Sequence, residues 1–70
     1  MCGIFAVVSK KDIPKKFIQE ILFELKIRGK HSTGLSWIAN NEIQSNIQSV
    51  PADDYILPEI KTKVIIGHTR

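Results

Sequence analysis

The spacing of apolar and polar residues changes along this chain, and the first two patterns predict a strand and then a helix. Gly3 to Ser9 is a nearly continuous run of strand-forming apolar residues, which predicts a β-strand buried on both faces. After a polar break, apolar residues recur every three to four positions, which is typical of an amphipathic helix. Pro14 fits its first turn, and the helix is predicted to end near Arg28 with Gly29 as its cap. The apolar stripe comprises Phe17, Ile18, Ile21, Leu22 and Leu25.

The second half of the chain alternates with a period of two, which predicts a β-hairpin. Residues 34–39 and 42–50 form the two alternating runs. Asn40 and Asn41 lie between them, and asparagine tolerates the positive φ of a tight turn. We therefore expect two antiparallel strands joined directly at these asparagines, with Trp37 and Phe5 in the core.

Residues 51–70 contain one ambiguous segment and one further strand. Asp53 or Asp54 could cap a short helix over residues 55–60, but Pro58 would interrupt it. Lys63 to Gly67 contains three consecutive β-branched apolar residues and predicts the last strand. The polar residues His68, Thr69 and Arg70 follow it.

The order strand–helix–hairpin–strand predicts an α+β fold with the helix on one face of a sheet. An apolar central strand needs neighbours on both of its edges, because unpaired edges invite association. The last predicted strand is followed by only a short polar stretch. We therefore expect residues 1–70 to be the N-terminal part of a larger domain.

Composition and charge are those of an ordinary globular domain. Hydrophobic residues make up 43% and charged residues 24% of the 70 residues, which is not typical of disordered chains. The net charge of +3 would also fit a small basic binding module, because much of it lies between Lys10 and Lys30. Acidic residues interrupt that run and no aromatic stacking platform accompanies it, so we expect a solvated helix face instead of a nucleic-acid site.

Cysteine usage and the absence of long apolar runs bear on the compartment. The single cysteine cannot form an internal disulfide, which favours a reducing compartment. No stretch fits a signal peptide or the roughly 20 apolar residues of a membrane span. We expect a cytoplasmic chain without a membrane segment. Cys2, His31 and His68 lack the short spacings of metal ligands, so neither a metal nor another cofactor is expected.

Cys2 is a candidate nucleophile because of its position. If Met1 is removed, Cys2 carries both a thiol that can attack a carbonyl and a free α-amine that can accept the thiol proton. On position alone, the favoured interpretation of Cys2 is a small apolar strand residue. A dyad of Cys2 with His68 is a further alternative, although a terminal cysteine does not need one.

Three stretches of the chain together resemble the class II glutamine amidotransferases. They are Met-Cys-Gly-Ile-Phe at 1–5, Arg-Gly-Lys-His-Ser-Thr-Gly at 28–34 and Ile-Gly-His-Thr-Arg at 66–70. Members of this family are N-terminal-nucleophile (Ntn) hydrolases that liberate ammonia from L-glutamine. The glutaminase domain of glucosamine-6-phosphate synthase (glutamine–fructose-6-phosphate aminotransferase) is the branch most similar to this chain, and amidophosphoribosyltransferase-like glutaminases come second. The resemblance implies an αββα sandwich with a mixed sheet, of which residues 1–70 would be the N-terminal fragment of a glutamine amidotransferase type 2 domain.

The resemblance implies roles for individual residues. Cys2 would attack the side-chain amide of L-glutamine and form a thioester, with its own α-amine as base and then acid. Arg70 would bind the substrate α-carboxylate, since its planar guanidinium can donate two hydrogen bonds to a carboxylate. His68 and Thr69 of the same motif would line the substrate site.

Other residues would support the nucleophile. Arg28, Gly29 and Gly3 would form the shell that positions Cys2, and Gly34 would provide a close turn into the second strand. The chain departs from the family at His31, where the family has Asp, and at Thr33, where the family has Ala or Ser.

The resemblance also implies what this chain needs from elsewhere. The family's oxyanion-hole Asn-Gly pair and the Asp that binds the substrate amine would lie after Arg70. Negligible activity is therefore expected of the 70-residue chain alone, and the expected partners are the remainder of the domain and a synthase or acceptor domain. The ammonia would pass to an acceptor such as a sugar phosphate. The alternative function is that of a truncated or non-catalytic remnant of such a domain, which retention of Met1 would favour.

Overall fold

The computed structural model of the chain describes residues 2–25 and 31–70. This part is α+β, with one four-stranded antiparallel sheet, one α-helix and one short 3₁₀ turn. The elements are β1 (Gly3–Val8), α1 (Lys15–Leu25), β2 (Thr33–Ala39), β3 (Glu42–Gln48), the 3₁₀ turn (Ala52–Asp54) and β4 (Val64–Thr69).

The last strand of the chain lies inside the sheet, between the first two. The strand order is β1-β4-β2-β3, and each neighbouring pair is antiparallel. β1 and β2 therefore run in the same direction but do not pair with each other. The expectation of a mixed sheet is wrong for the described residues, because β4 separates the two strands that would have formed a parallel pair.

Helix α1 covers one face of this sheet. The carbonyl of Pro14 accepts hydrogen bonds from Phe17 N at 3.1 Å and Ile18 N at 3.3 Å, so the helix starts directly after the proline. Ile18 and Leu22 are buried, which confirms the centre of the predicted stripe, whereas Phe17 stays 45% exposed. The predicted end near Arg28 and its cap at Gly29 lie outside the described residues. No helix within residues 2–25 or 31–70 is long and apolar enough to cross a membrane.

The core lies between α1 and the face of the sheet beneath it. Phe5 and Trp37 pack against it from β1 and β2, as predicted. Gly67 of β4 lies under the Phe5 ring, and a Cβ at this position would overlap that ring. The buried apolar residues are Ile13, Ile18, Leu22, Leu35, Ala52, Tyr55 and Ile65.

The opposite face of the sheet, here called the open face, is apolar and exposed. Ile4 is 77% and Val8 79% exposed in β1. β1 was predicted to be buried on both faces, and this is wrong for the described residues, because none of them lies over the open face. Exposed isoleucines continue across the other strands at Ile38, Ile43, Ile47 and Ile66.

The hairpin forms where it was predicted. Asn40 and Asn41 have φ values of 53° and 62°, which is the left-handed conformation that a two-residue hairpin turn needs. β3 ends at Gln48, two residues before the predicted end at Val50. The chain then turns back along β3 as a strap, defined here as residues 51–57.

The strap is fastened to β3 by side-chain hydrogen bonds. Gln48 Nε2 donates to the Ile56 carbonyl at 2.8 Å, and Ile56 N donates to Gln48 Oε1 at 3.1 Å. The Tyr55 hydroxyl lies 2.9 Å from Asn46 Oδ1 and 3.2 Å from the Asn46 carbonyl oxygen. The ambiguous segment 55–60 is therefore not helical, and a single 3₁₀ turn, Ala52–Asp54, precedes it.

Burial of Tyr55 makes the stability of the chain sensitive to high pH. Burial raises the pKa of Tyr55 to about 12, above the value of about 10 expected in the unfolded chain. The contribution of this group is complete below pH ~10 and is lost as pH rises to ~12, because the unfolded state then binds fewer protons. We expect urea titrations to show a loss of stability over this interval, and Tyr55→Phe to abolish the part due to Tyr55. An unchanged pH dependence in Tyr55→Phe would contradict this assignment.

β4 begins and ends later than predicted. It covers Val64 to Thr69, so His68 and Thr69 are strand residues and do not follow the strand. Its start is marked by the buried Thr62, whose hydroxyl donates to the Ile38 carbonyl at 2.8 Å and accepts from Val64 N at 3.2 Å. This residue connects the beginning of β4 to the end of β2.

Candidate functional site

One end of the sheet brings together residues that directly precede or follow three of its strands. The β1–β4 register pairs Gly3 with Thr69, and one further step places Cys2 opposite Arg70. On the other side, Arg70 N donates to the Ser32 carbonyl at 2.9 Å, and Ser32 N donates to the Arg70 carbonyl at 3.0 Å. Cys2, Arg70 and Ser32 therefore form one line across the sheet end, which we call the terminal row.

The terminal row belongs to the open face. Side chains alternate along a strand, and Thr69 is buried on the face that α1 covers. The neighbouring Arg70 and Cys2 therefore project toward the other side, and both are exposed, whereas Ser32 is partly buried. Residues opposite each other in antiparallel strands have Cα atoms about 4.5–5.5 Å apart. The side chains that carry the thiol and the guanidinium are thus attached at adjacent backbone positions on the same side of the sheet.

The next row contains His68, flanked by Ile4 and Gly34. A Cβ on Gly34 would lie only 2.6 Å from His68 Nε2, so the imidazole lies across the glycine and points toward β2. The prediction of a close turn at Gly34 is wrong, because this residue lies within β2 and its missing side chain leaves room for the imidazole. The imidazole extends away from β1, which argues against a dyad with Cys2.

Two buried threonines lie directly beneath the terminal row. Thr69 is 0% exposed, and its hydroxyl donates to the Leu25 carbonyl at 3.5 Å, at the end of α1. Thr33 is opposite Thr69, is also 0% exposed, and donates to the Val50 carbonyl at 3.0 Å. The substrate contact predicted for Thr69 stays a prediction. The hydroxyl of Thr33 therefore makes a structural hydrogen bond, which alanine, one of the two residues expected here from the resemblance, could not make.

The predicted supporting shell is described only in part. Gly3 is buried opposite Thr69, beside the predicted nucleophile Cys2. Arg28 and Gly29 lie outside the described residues, as does Met1, whose removal would give Cys2 the free α-amine of the predicted chemistry. The residues on either side of that gap, Leu25 and His31, both contact the end of β4: His31 N donates to the Arg70 carbonyl at 2.6 Å.

Ser32 is the site residue that sequence reasoning missed. The second motif departs from the pattern of the resembled family at His31 and Thr33, whereas Ser32 fits that pattern, and the resemblance implies no role for it. The period of two places Ser32 on the same face as Gly34, but its position beside Arg70 follows only from the insertion of β4 next to β2. The apolar run of β4 indicated a central strand, but it did not indicate which two strands lie beside it.

The terminal row and the row of His68 contain few charged side chains. Within the described residues these two rows contain one permanently charged side chain, the guanidinium of Arg70. No three potential metal ligands come together in residues 2–25 and 31–70. The arrangement offers a thiol beside a cation and a hydroxyl, which suits an anionic substrate with an electrophilic carbon.

Comparisons with known proteins add no relative to this description. No family model matches the chain, and no curated protein or solved structure matches it.

Proposed function

We propose that the chain contributes the nucleophile and the carboxylate-binding arginine of a class II glutamine amidotransferase. The observation that carries the proposal is the terminal row, in which Cys2 and Arg70 occupy adjacent positions on the same side of the sheet. Two motifs from opposite ends of the chain thereby meet at one place. The likeness of the three motifs to this family supplies the substrate, L-glutamine.

The spacing in the terminal row fits the length of glutamine. The side-chain amide carbon and the carboxylate carbon of extended glutamine are about 5 Å apart, since four C–C bonds of ~1.52 Å separate them. The same distance separates opposite positions on adjacent strands. A glutamine lying along the row could present its amide carbon to Cys2 while its carboxylate contacts Arg70.

The proton transfers and bond changes of the reaction then involve only the substrate, the groups on Cys2 itself and water. The α-amine takes the thiol proton, the sulfur forms a bond to the amide carbon, and the carbonyl oxygen gains the negative charge. When the C–N bond breaks, the ammonium returns the proton to the leaving nitrogen, so ammonia and a thioester form. Water then attacks the thioester, and its protons restore the thiol and release glutamate.

The proposal leaves two tasks to groups outside the terminal row. The oxyanion needs preorganised donors, and loss of one such donor typically lowers kcat by 10²–10³-fold. We assign these donors to the remainder of the domain, and the use of the ammonia to a cytoplasmic synthase or acceptor domain acting on a sugar phosphate. His68 has no proton-transfer role in this scheme, because its ring extends toward β2.

Arg70→Lys in the complete protein tests the carboxylate contact. The variant keeps the positive charge but loses the bidentate geometry, so KM for L-glutamine should rise by about 10- to 100-fold. Lys63→Gln is the matched control, because it removes a cation directly before β4, at the opposite end of that strand from Arg70, and should leave KM unchanged. The measurement is glutamate release under steady-state conditions. Equal KM values for wild type and Arg70→Lys would contradict the proposed role of Arg70.

A further inference from the structure

Ser32 presents a hydroxyl group without a structural use in the described part of the chain. Its backbone exchanges two hydrogen bonds with Arg70, but its side chain makes none with any residue in 2–25 or 31–70. The two neighbouring hydroxyls on β2 differ in this respect. Thr33 donates to Val50, and Ser36 Oγ lies 2.9 Å from Ser45 Oγ.

Hydrogen bonds fix the position of Ser32 relative to Arg70, and the β1–β4 register, extended by one residue, gives the position of Cys2. Ser32 and Arg70 exchange both backbone N–H···O bonds, which defines a pair with Cα atoms about 5.5 Å apart and side chains on the same face. Arg70 has Cys2 on its other side. Ser32 therefore lies at the end of the terminal row farthest from the thiol, two strand spacings away.

A substrate held in this row would place its anionic end between Arg70 and Ser32. An amide carbon at Cys2 puts the glutamine carboxylate about 5 Å further along the row, which is the position of Arg70. A carboxylate has about four acceptor sites, and a bidentate arginine uses two of them. The next group along the row that can donate is the Ser32 hydroxyl.

We propose that Ser32 is a substrate-binding residue whose hydroxyl donates a hydrogen bond to the α-carboxylate that Arg70 holds. This inference rests on the proposed glutaminase function. It assigns recognition of the carboxylate to two donors from two strands, which specifies the anionic end of the substrate by geometry as well as by charge.

Ser32→Ala in the complete protein tests the assignment with two substrates. KM for L-glutamine should rise about tenfold while kcat stays within about twofold, because the lost bond is present in ground and transition states alike. For γ-aminobutyramide, which lacks the carboxylate, kcat/KM should be the same in wild type and variant. Ser32→Thr restores the hydroxyl, so its KM for L-glutamine should return close to the wild-type value. Ser36→Ala should leave KM and kcat for both substrates unchanged.

The outcomes separate this assignment from the proposed function. The role of Ser32 alone is overturned if the wild type is active and Ser32→Ala leaves KM for glutamine unchanged. It is also overturned if Ser32→Ala lowers kcat/KM equally for both substrates. A wild type that does not hydrolyse glutamine overturns the proposed function and this assignment with it. A selective loss for glutamine, restored in Ser32→Thr, supports both.

Discussion

Replacement of Cys2 by serine in the complete protein is expected to lower kcat for glutamine hydrolysis by about 10⁴-fold or more. Removal of a nucleophile that acts as a unit with its base has effects of this size in other hydrolases. The residual rate should come from substrate binding alone. Because Cys2 is exposed and precedes β1, the substitution should leave the fold and its stability unchanged. Glutamate release and the urea midpoint measure the two effects.

Retention of Met1 should have the same effect as loss of the thiol. An amide nitrogen then replaces the terminal amine, and an amide cannot accept the thiol proton. A variant with a bulky residue inserted after Met1 would block its removal while keeping the sulfur, and intact mass would confirm the state of the terminus. Full activity of a chain that carries Met1 would contradict the terminal-amine mechanism and would favour another base for Cys2.

The second large effect concerns the two adjacent isoleucines of β4, Ile65 and Ile66. Ile65 is 0% exposed and Ile66 50% exposed, so the same substitution probes the two faces of one sheet. Ile65→Ala should destabilise the 70-residue chain by about 2–5 kcal/mol through lost burial and a residual cavity. Ile66→Ala should change the free energy of unfolding by less than about 1 kcal/mol. Urea or thermal unfolding followed by circular dichroism measures both.

The comparison is sensitive because a domain of this size has little stability to lose. Typical values are about 0.05–0.15 kcal/mol per residue, so Ile65→Ala should remove a large share of the total. Equal losses for the two variants would contradict the assignment of the open face as solvent-exposed. They would show that another surface covers Ile66 in solution.

The sequence predicted the local elements of this fold well because local chemistry determines them. Asn40 and Asn41 could be recognised as a turn, since few residues adopt positive φ readily. The spacing of Ile18 and Leu22 identified the buried side of the helix. These features depend on neighbours in sequence, and the structure confirms them.

The sequence could not predict which strands become neighbours. Pairing of Thr69 with both Gly3 and Thr33 depends on β4 entering between β1 and β2. The residues of β4 indicate a central strand, but they do not specify which two strands flank it. For the same reason Ser32 was missed and Gly34 was interpreted as a turn. The apolar run of β1 was also ambiguous. A run such as Ile4 to Val8 can have the same sequence pattern whether one face of the strand is buried or both are.

The insertion of β4 has a consequence for how the chain folds. Its pairing with β1 joins residues 3–8 to residues 64–69. Closing so long a loop has a large entropic cost, so this pairing should form late and slowly. During synthesis, β1, α1 and the hairpin would leave the ribosome before the strand that unites them. Cys2 and Arg70 would become neighbours only when this pairing closes, so the predicted nucleophile would meet the predicted substrate-binding arginine late in the folding of residues 1–70.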